Sequence, residues 1–165
     1  MKPLTDWEEI LEKRLIMFGH RNWLVVADAA YPSQSRPGIE TIASGESQQV
    51  TIERLLANFK ACQHIRPVIH VDRELEFVCE KDAPGVDNYR TWLHSILEGM
   101  TVYSDPHDDI ISKLDQAAQM FSILVVKSTM TIPYTTVFFE LDCGYWNAES
   151  EARMRSAISR VKSAR

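Results

Sequence analysis

The sequence predicts a single layered α/β domain. Short apolar runs at 23–27 and 121–126 have the length and β-branched content of strands, and between such runs apolar residues recur at helical spacing. Strands that alternate with helices bury their apolar faces by stacking as sheet and helix layers. With 165 residues the chain is long enough for one real core, and no repeat, low-complexity tract or linker divides it.

The elements follow in order. Thr5-Asp6-Trp7-Glu8 has the pattern of a capping box, in which the Thr5 hydroxyl and Glu8 carboxylate satisfy free amides at a helix start. Trp7, Ile10, Leu11, Leu15 and Phe18 then line one helical face, which Gly19 closes. The first strand, 23–27, follows at once. Residues 33–45, rich in Ser, Pro and Gly, read as a long loop with a short extended piece at 39–42. Ile52, Leu55, Leu56 and Phe59 mark a second helix. Residues 67–71 and 75–79 read as strands joined in a hairpin across 72–74. Asp87 is placed to cap a third helix carrying Trp92, Leu93, Ile96 and Leu97, ended by Gly99. A short strand at 101–103 precedes a fourth helix, with Pro106 at its first position and a stripe of Ile110, Ile111, Leu114, Ala117 and Ala118. Residues 121–126 and 137–141 are the last strands. From Ala148 a mostly polar helix carries Met154, Ile158 and Val161 on one side.

Composition narrows the function. Lys and Arg number 18 against 23 Asp and Glu, a net charge of −5, which disfavours general nucleic-acid binding because that rests on neutralising phosphates. Cys62, Cys79 and Cys143 are odd in number and share no metal-ligand spacing, so reduced thiols in a cytoplasmic protein are expected. The acidic start MKPLTDWEEILEKR does not read as a signal peptide, and no apolar run approaches the ~20 residues of a membrane span. No P-loop, dinucleotide fingerprint or zinc spacing occurs, so neither cofactor nor metal is expected.

The densest chemistry lies in Gly19-His20, the strand after it, Asp28-Ala29 and Pro32. Histidine both takes and gives a proton near neutrality. A carboxylate at the carboxyl end of a strand stands where open α/β sheets bind ligands. Together they suit proton transfer on a small polar molecule.

This order of residues resembles the D-ribose pyranase / L-fucose mutarotase family, the RbsD/FucU-like sugar mutarotases. Gly-His, a short apolar strand, Asp-Ala and Pro form its signature, and Ile39-Glu40 falls where the family has an apolar residue and an acid. The strand at 121–126, Pro133-Tyr134 and the strand at 137–139 echo its closing strand, Pro-Tyr-x-Asn turn and final strand, so the match runs from Trp7 to Trp146. The resemblance implies a mixed sheet flanked by helices that assembles into a homo-oligomeric ring, in some members a decamer, with sites at subunit contacts. It also implies a mutarotase domain over 1–147, with 148–165 as a C-terminal helical extension.

By the same resemblance His20 is the catalytic acid/base and Asp28 binds sugar hydroxyls, as a carboxylate does by accepting from a vicinal diol. Tyr134 offers a hydroxyl and a ring face to the sugar. Thr136 stands where the family usually has Asn, His107 is the nearest match to its basic residue, and Arg36 and Glu40, in or after the Pro loop, are candidates to line a polar pocket. The implied activity interconverts the anomers or ring forms of a monosaccharide by general acid–base catalysis, with no cofactor. Taken singly, each residue has a structural reading. His20 is then a charge near a helix C-terminus, Asp28 a turn residue, Tyr134 a strand aromatic and His107 an exposed first-turn side chain. A non-catalytic sugar-binding or sensing module, or a structural oligomer with a relic site, fits the same residues. Eight residues separate His20 from Asp28. At about 3.3 Å per residue a straight strand sets them more than ~20 Å apart, so a shared site requires a curled chain or a neighbouring subunit.

Overall fold

The computed structural model describes residues 6–164. Six strands form one mixed sheet: β1 (Trp23–Ala27), β2 (Ile39–Ala43), β3 (Ile65–Asp72), β4 (Val102–Asp105), β5 (Ile123–Lys127) and β6 (Val137–Cys143), in the order β2-β5-β1-β6-β3-β4. Only β6 runs against its neighbours, β1 and β3; the pairs β1–β5, β2–β5 and β3–β4 are parallel. The carboxyl ends of β1 to β5 therefore meet at one edge of the domain, together with the start of β6.

The helices are α1 (Asp6–Met17), α2 (Gln48–Lys60), α3 (Val86–Ile96), α4 (His107–Ala117) and α5 (Ala148–Ser163). The Thr5 side of the expected capping box lies outside the described residues. Side-chain alternation along the strands divides the core in two. Leu24, Val26, Ile69, Val137 and Phe139 pack against α1, α2 and α3. Trp23, Val25, Ile123, Val125 and Phe138 pack against Ile110 and Leu114 of α4. Among the described residues a single helix covers this second face, and its outer part stays open: Tyr103 is 52% exposed, and Arg66 and Glu140 also reach solvent. Gly144 lets the end of β6 cross the start of β3, because a Cβ there would overlap the Gln63 carbonyl.

Four details differ from the sequence expectations. The extended piece near 39–42 is a full edge strand, β2. The hairpin expected across 72–74 is absent: Arg73–Phe77 is a 3-10 turn, and β3 pairs instead with β6 and β4. Of that turn only Leu75 is buried, and Arg90 of α3 ties it down by donating to the Leu75 and Val78 carbonyls. Gly85, with φ 96°, caps α3 in place of Asp87, while the Glu80 carboxylate accepts from the Gly85 and Asp87 amides. Pro106 is the residue before the first turn of α4, and His107 opens the helix.

Candidate functional site

Four neighbouring strand ends bring a polar cluster together at the carboxyl edge. Asp28 follows β1, Thr136 precedes β6, Asp72 ends β3, and the Asp105-Pro106-His107 corner joins β4 to α4. Val137 pairs with Val26 on one side and Val71 on the other, so Thr136, one residue earlier, falls between β1 and β3. Its hydroxyl donates to Asp28 Oδ1 at 3.0 Å and accepts from the Asp28 amide at 3.3 Å. Thr136 is buried. It fixes the Asp28 carboxylate.

Asp72 is 1% exposed. Its Oδ1 accepts from His107 Nδ1 at 3.0 Å, and its Oδ2 is buried with no hydrogen-bond partner among the described residues. Burial pushes this carboxyl up to about 6; His107 pulls it down, and Glu74 and Asp28 add to the rise. The Glu74 carboxylate in turn accepts from the His107 backbone amide at 3.0 Å, which anchors the first turn of α4. Tyr31 projects into the same neighbourhood. Burial, with the negative charge of Asp115, Asp72 and Asp28, raises its phenol to about 12; the Gln34 amide tempers this without forming a well-shaped hydrogen bond.

Tyr134 completes the cluster. Its ring meets the His107 ring edge-on with centroids 5.7 Å apart, and it is 41% exposed. Its φ of 59° lies in the left-handed region, which costs a side-chain-bearing residue roughly 1–3 kcal/mol and concentrates at ligand sites. The turn is held because Thr135 Oγ1 donates to the Ile132 carbonyl and Tyr89 donates to the Thr135 carbonyl. Beneath it, the fully buried Gln48 of α2 donates to the Val26 and Thr135 carbonyls and accepts from Ser128. A rigid polar clamp thus carries the loops that bear Asp28 and Tyr134.

Of the residues singled out from the sequence, the structure brings Asp28, Thr136, His107 and Tyr134 together. His20, Arg36 and Glu40 lie at the other end. His20 precedes β1, separated from Asp28 by the length of that strand, about 16 Å at 3.3 Å per residue. Its Nδ1 faces Asp142 Oδ1 at 3.1 Å, and its Nε2 accepts from Arg21 at 3.3 Å. Arg66 also binds Asp142, at 2.8 Å, and holds its carboxyl below the usual range. These groups line a cleft of about 660 Å³ with Tyr145 and Trp146. Glu40 accepts from Nε and Nη2 of Arg14, and Arg36 donates to the Asp115 carbonyl.

The remaining histidines have evident partners. His64 donates to the Leu15 and Phe18 carbonyls and closes the end of α1. His94 faces Glu76. His70 is buried between the Trp23 and Tyr103 rings, with Glu140 and Asp105 at its two nitrogens. Among the described residues no three His, Cys, Asp or Glu side chains converge as a metal-ligand set.

Asp72, Glu74, Tyr31 and Gln48 were not anticipated. A hairpin across 72–74 would have made Asp72 a turn residue; the parallel β3–β4 register, pairing Asp72 with Asp105, makes it a strand-end carboxylate.

Fold and cluster define a three-layer α/β/α domain with a hydrogen-bonding mouth at its strand ends. No known family's sequence profile matches the chain, and no curated protein matches it in sequence. Solved structures do match in fold. RbsD of Bacillus subtilis, complexed with D-ribose, superposes with a TM-score of 0.60 at 16% identity, covering 86% of this chain and 98% of that one. The fucose mutarotase of Streptococcus pneumoniae, complexed with L-fucose, gives 0.53 at 19% identity over 81% and 91%. FucU of Bifidobacterium longum gives 0.54 at 17% identity over 82% and 94%. The chain has the RbsD/FucU fold. No described helix is long and apolar enough to cross a membrane.

Proposed function

We propose that the protein is a monosaccharide mutarotase or pyranase that interconverts anomers or ring forms by cofactor-free general acid–base catalysis. The observation that carries this is the convergence of Asp28, His107 and Tyr134 at adjoining strand ends. Carboxylate, imidazole and phenol are the groups that bind vicinal hydroxyls and move a proton, and the structural neighbours include proteins bound to D-ribose and L-fucose. Asp28 and Tyr134 hold the sugar.

His20 stands at the far end of β1, so its catalytic role requires a second copy of the chain. In this reading copies assemble as a ring, and the His20 end of one meets the Asp28 end of the next. The sheet face left open beyond α4 provides surface for such a contact. Residues 1–147 form the mutarotase domain, and 148–165 are an extension.

The test is NMR exchange spectroscopy on a panel of monosaccharides with the wild-type chain, His20→Ala, Asp28→Asn and a mixture of the two variants. Faster exchange with wild type, loss in each variant and recovery on mixing establish a shared site. Exchange that mixing does not restore sinks the ring. No acceleration of any sugar sinks the enzyme. A second reading, a sugar-binding module without turnover, is favoured by Thr136, whose hydroxyl is committed to Asp28. Line broadening of one sugar without faster exchange would select it.

A further inference from the structure

Ring opening needs two proton-transfer groups, and His20 supplies one. We propose that the second is His107, set in its working tautomer by Asp72 as a positioning residue. The inference rests on the function proposed above and names groups that it leaves unassigned.

Three observations carry it. Asp72 Oδ1 lies 3.0 Å from His107 Nδ1, so a carboxylate there fixes the ring proton on Nδ1 and leaves the Nε2 lone pair free. The two residues come from different elements, the end of β3 and the first turn of α4, and Glu74 clamps the His107 backbone at 3.0 Å. The pairing is therefore built by the fold. Asp72 is 1% exposed and its Oδ2 has no hydrogen-bond partner among the described residues, a desolvation cost that packing alone does not repay. His107, by contrast, keeps a side chain 32% exposed beside the Tyr134 ring, so it can reach a ligand held by Tyr134 and Asp28.

The step balances. His107 Nε2 takes the proton of the anomeric hydroxyl, and the freed electron pair becomes the carbonyl π bond. The bond from the anomeric carbon to the ring oxygen breaks. The ring oxygen takes a proton from protonated His20 of the adjoining copy, once the Arg21 contact has opened. The product is the open-chain aldehyde, with the charge on His107 balanced by the Asp72 carboxylate; reclosure on either face reverses each transfer. The groups facing Asp72 are His107 of α4, Glu74 of the 3-10 turn and Asp28 after β1, with Tyr31 and Tyr89 on the flanks. Only His107 among them is a cation when protonated, so it is the one group facing Asp72 that favours its carboxylate.

The test compares wild type, Asp72→Asn, His107→Gln and the double variant in the same exchange assay, from pH 5 to 8 and over a range of sugar concentrations. Asp72→Asn and His107→Gln should each lower kcat by roughly 10²-fold with KM little changed, the double variant should be no slower than the worse single one, and Asp72→Asn should move the acid limb of the rate. Independently of turnover, the ¹⁵N shifts of His107 should show the Nδ1–H tautomer in wild type and a mixture in Asp72→Asn. A wild type that exchanges sugars, with Asp72→Asn matching it in kcat and pH profile, overturns the pairing and leaves the mutarotase standing. Additive losses, or a wild-type His107 protonated on Nε2, also overturn it. A wild type with no exchange refutes the function itself.

Discussion

At the amino end of the sheet Asp142 lies against Arg66 and His20, and Glu40 accepts from Nε and Nη2 of Arg14. At the carboxyl end Asp28 and Asp72 rely on a threonine hydroxyl and one imidazole, and Asp28 adds to the cost of charging Asp72. Both ends are rich in acids, yet one is matched by guanidinium groups near solvent and the other holds the buried, under-compensated Asp72. An ion pair open to water restrains a surface. A buried carboxylate with an orphan oxygen costs stability, and such costs persist at sites that bind or react.

The first way to break this comparison is to remove the support of each end. Gln48→Ala removes the side-chain donor to the buried Val26 and Thr135 carbonyls and opens a cavity beneath the loop, and should cost roughly 3 kcal/mol. Arg14→Ala breaks a pair whose side chains are both 39% exposed, and should cost less than about 1 kcal/mol. Urea unfolding of the two variants measures the contrast; equal losses would mean that the ends are supported alike.

The two ends should also respond to pH with opposite sign. Asp72 holds its proton up to about 6 in the native state, whereas an unfolded aspartate releases it near ~3.9. Between those values the unfolded chain binds fewer protons, so this residue's contribution is fully present below ~3.9 and is lost as pH rises through about 6. Asp72→Asn should match wild type near pH 4 and exceed it by roughly 2–3 kcal/mol at pH 8, while turnover falls. Asp142 is shifted the other way, chiefly by its hydrogen bond from Arg66. Its contribution is present above the unfolded value of ~3.9 and disappears as pH falls through the lower native one. Asp142→Asn should therefore be slightly less stable than wild type at neutral pH, with a difference that shrinks in acid and in salt. Unfolding midpoints across pH decide both signs; a shared sign would dissolve the distinction between the ends.

How much of this was legible in the sequence follows from the range over which each signal acts. Apolar periodicity is local, and it located α1, α2, α4, β1 and β6 closely. Asp28 was legible because it directly follows a strand, and Tyr134 because it sits beside Pro133. Asp72 was not. Its significance depends on β3 pairing in parallel with β4, some 30 residues onward, and local sequence gives no register for such a pair. Gln48 was hidden for a related reason: a glutamine early in a helix reads as solvated, and only the path of the Ser128–Thr136 loop buries it. The separation of His20 from Asp28 was legible by counting residues along a strand.

The smallest effect concerns the extension. Helix α5 is 16 residues long with none buried, and its first turn is held by the Asn147 cap and the Trp146–Glu151 hydrogen bond. A helix that buries no side chain contributes little to the stability of its own chain, whatever its propensity. Truncation after Asn147 should thus shift the unfolding free energy by less than about 0.5 kcal/mol. Ile158 and Val161 are nonetheless 45% and 60% exposed on this helix, and Tyr145 and Trp146 stand beside the His20 cleft. Light scattering of full-length and truncated chains separates two roles. If the proposed oligomer forms and survives truncation, α5 is an appendage and the amino end docks without it. If it falls apart while the subunit stays folded, the extension belongs to the proposed contact between His20 and the Asp28 of a second copy.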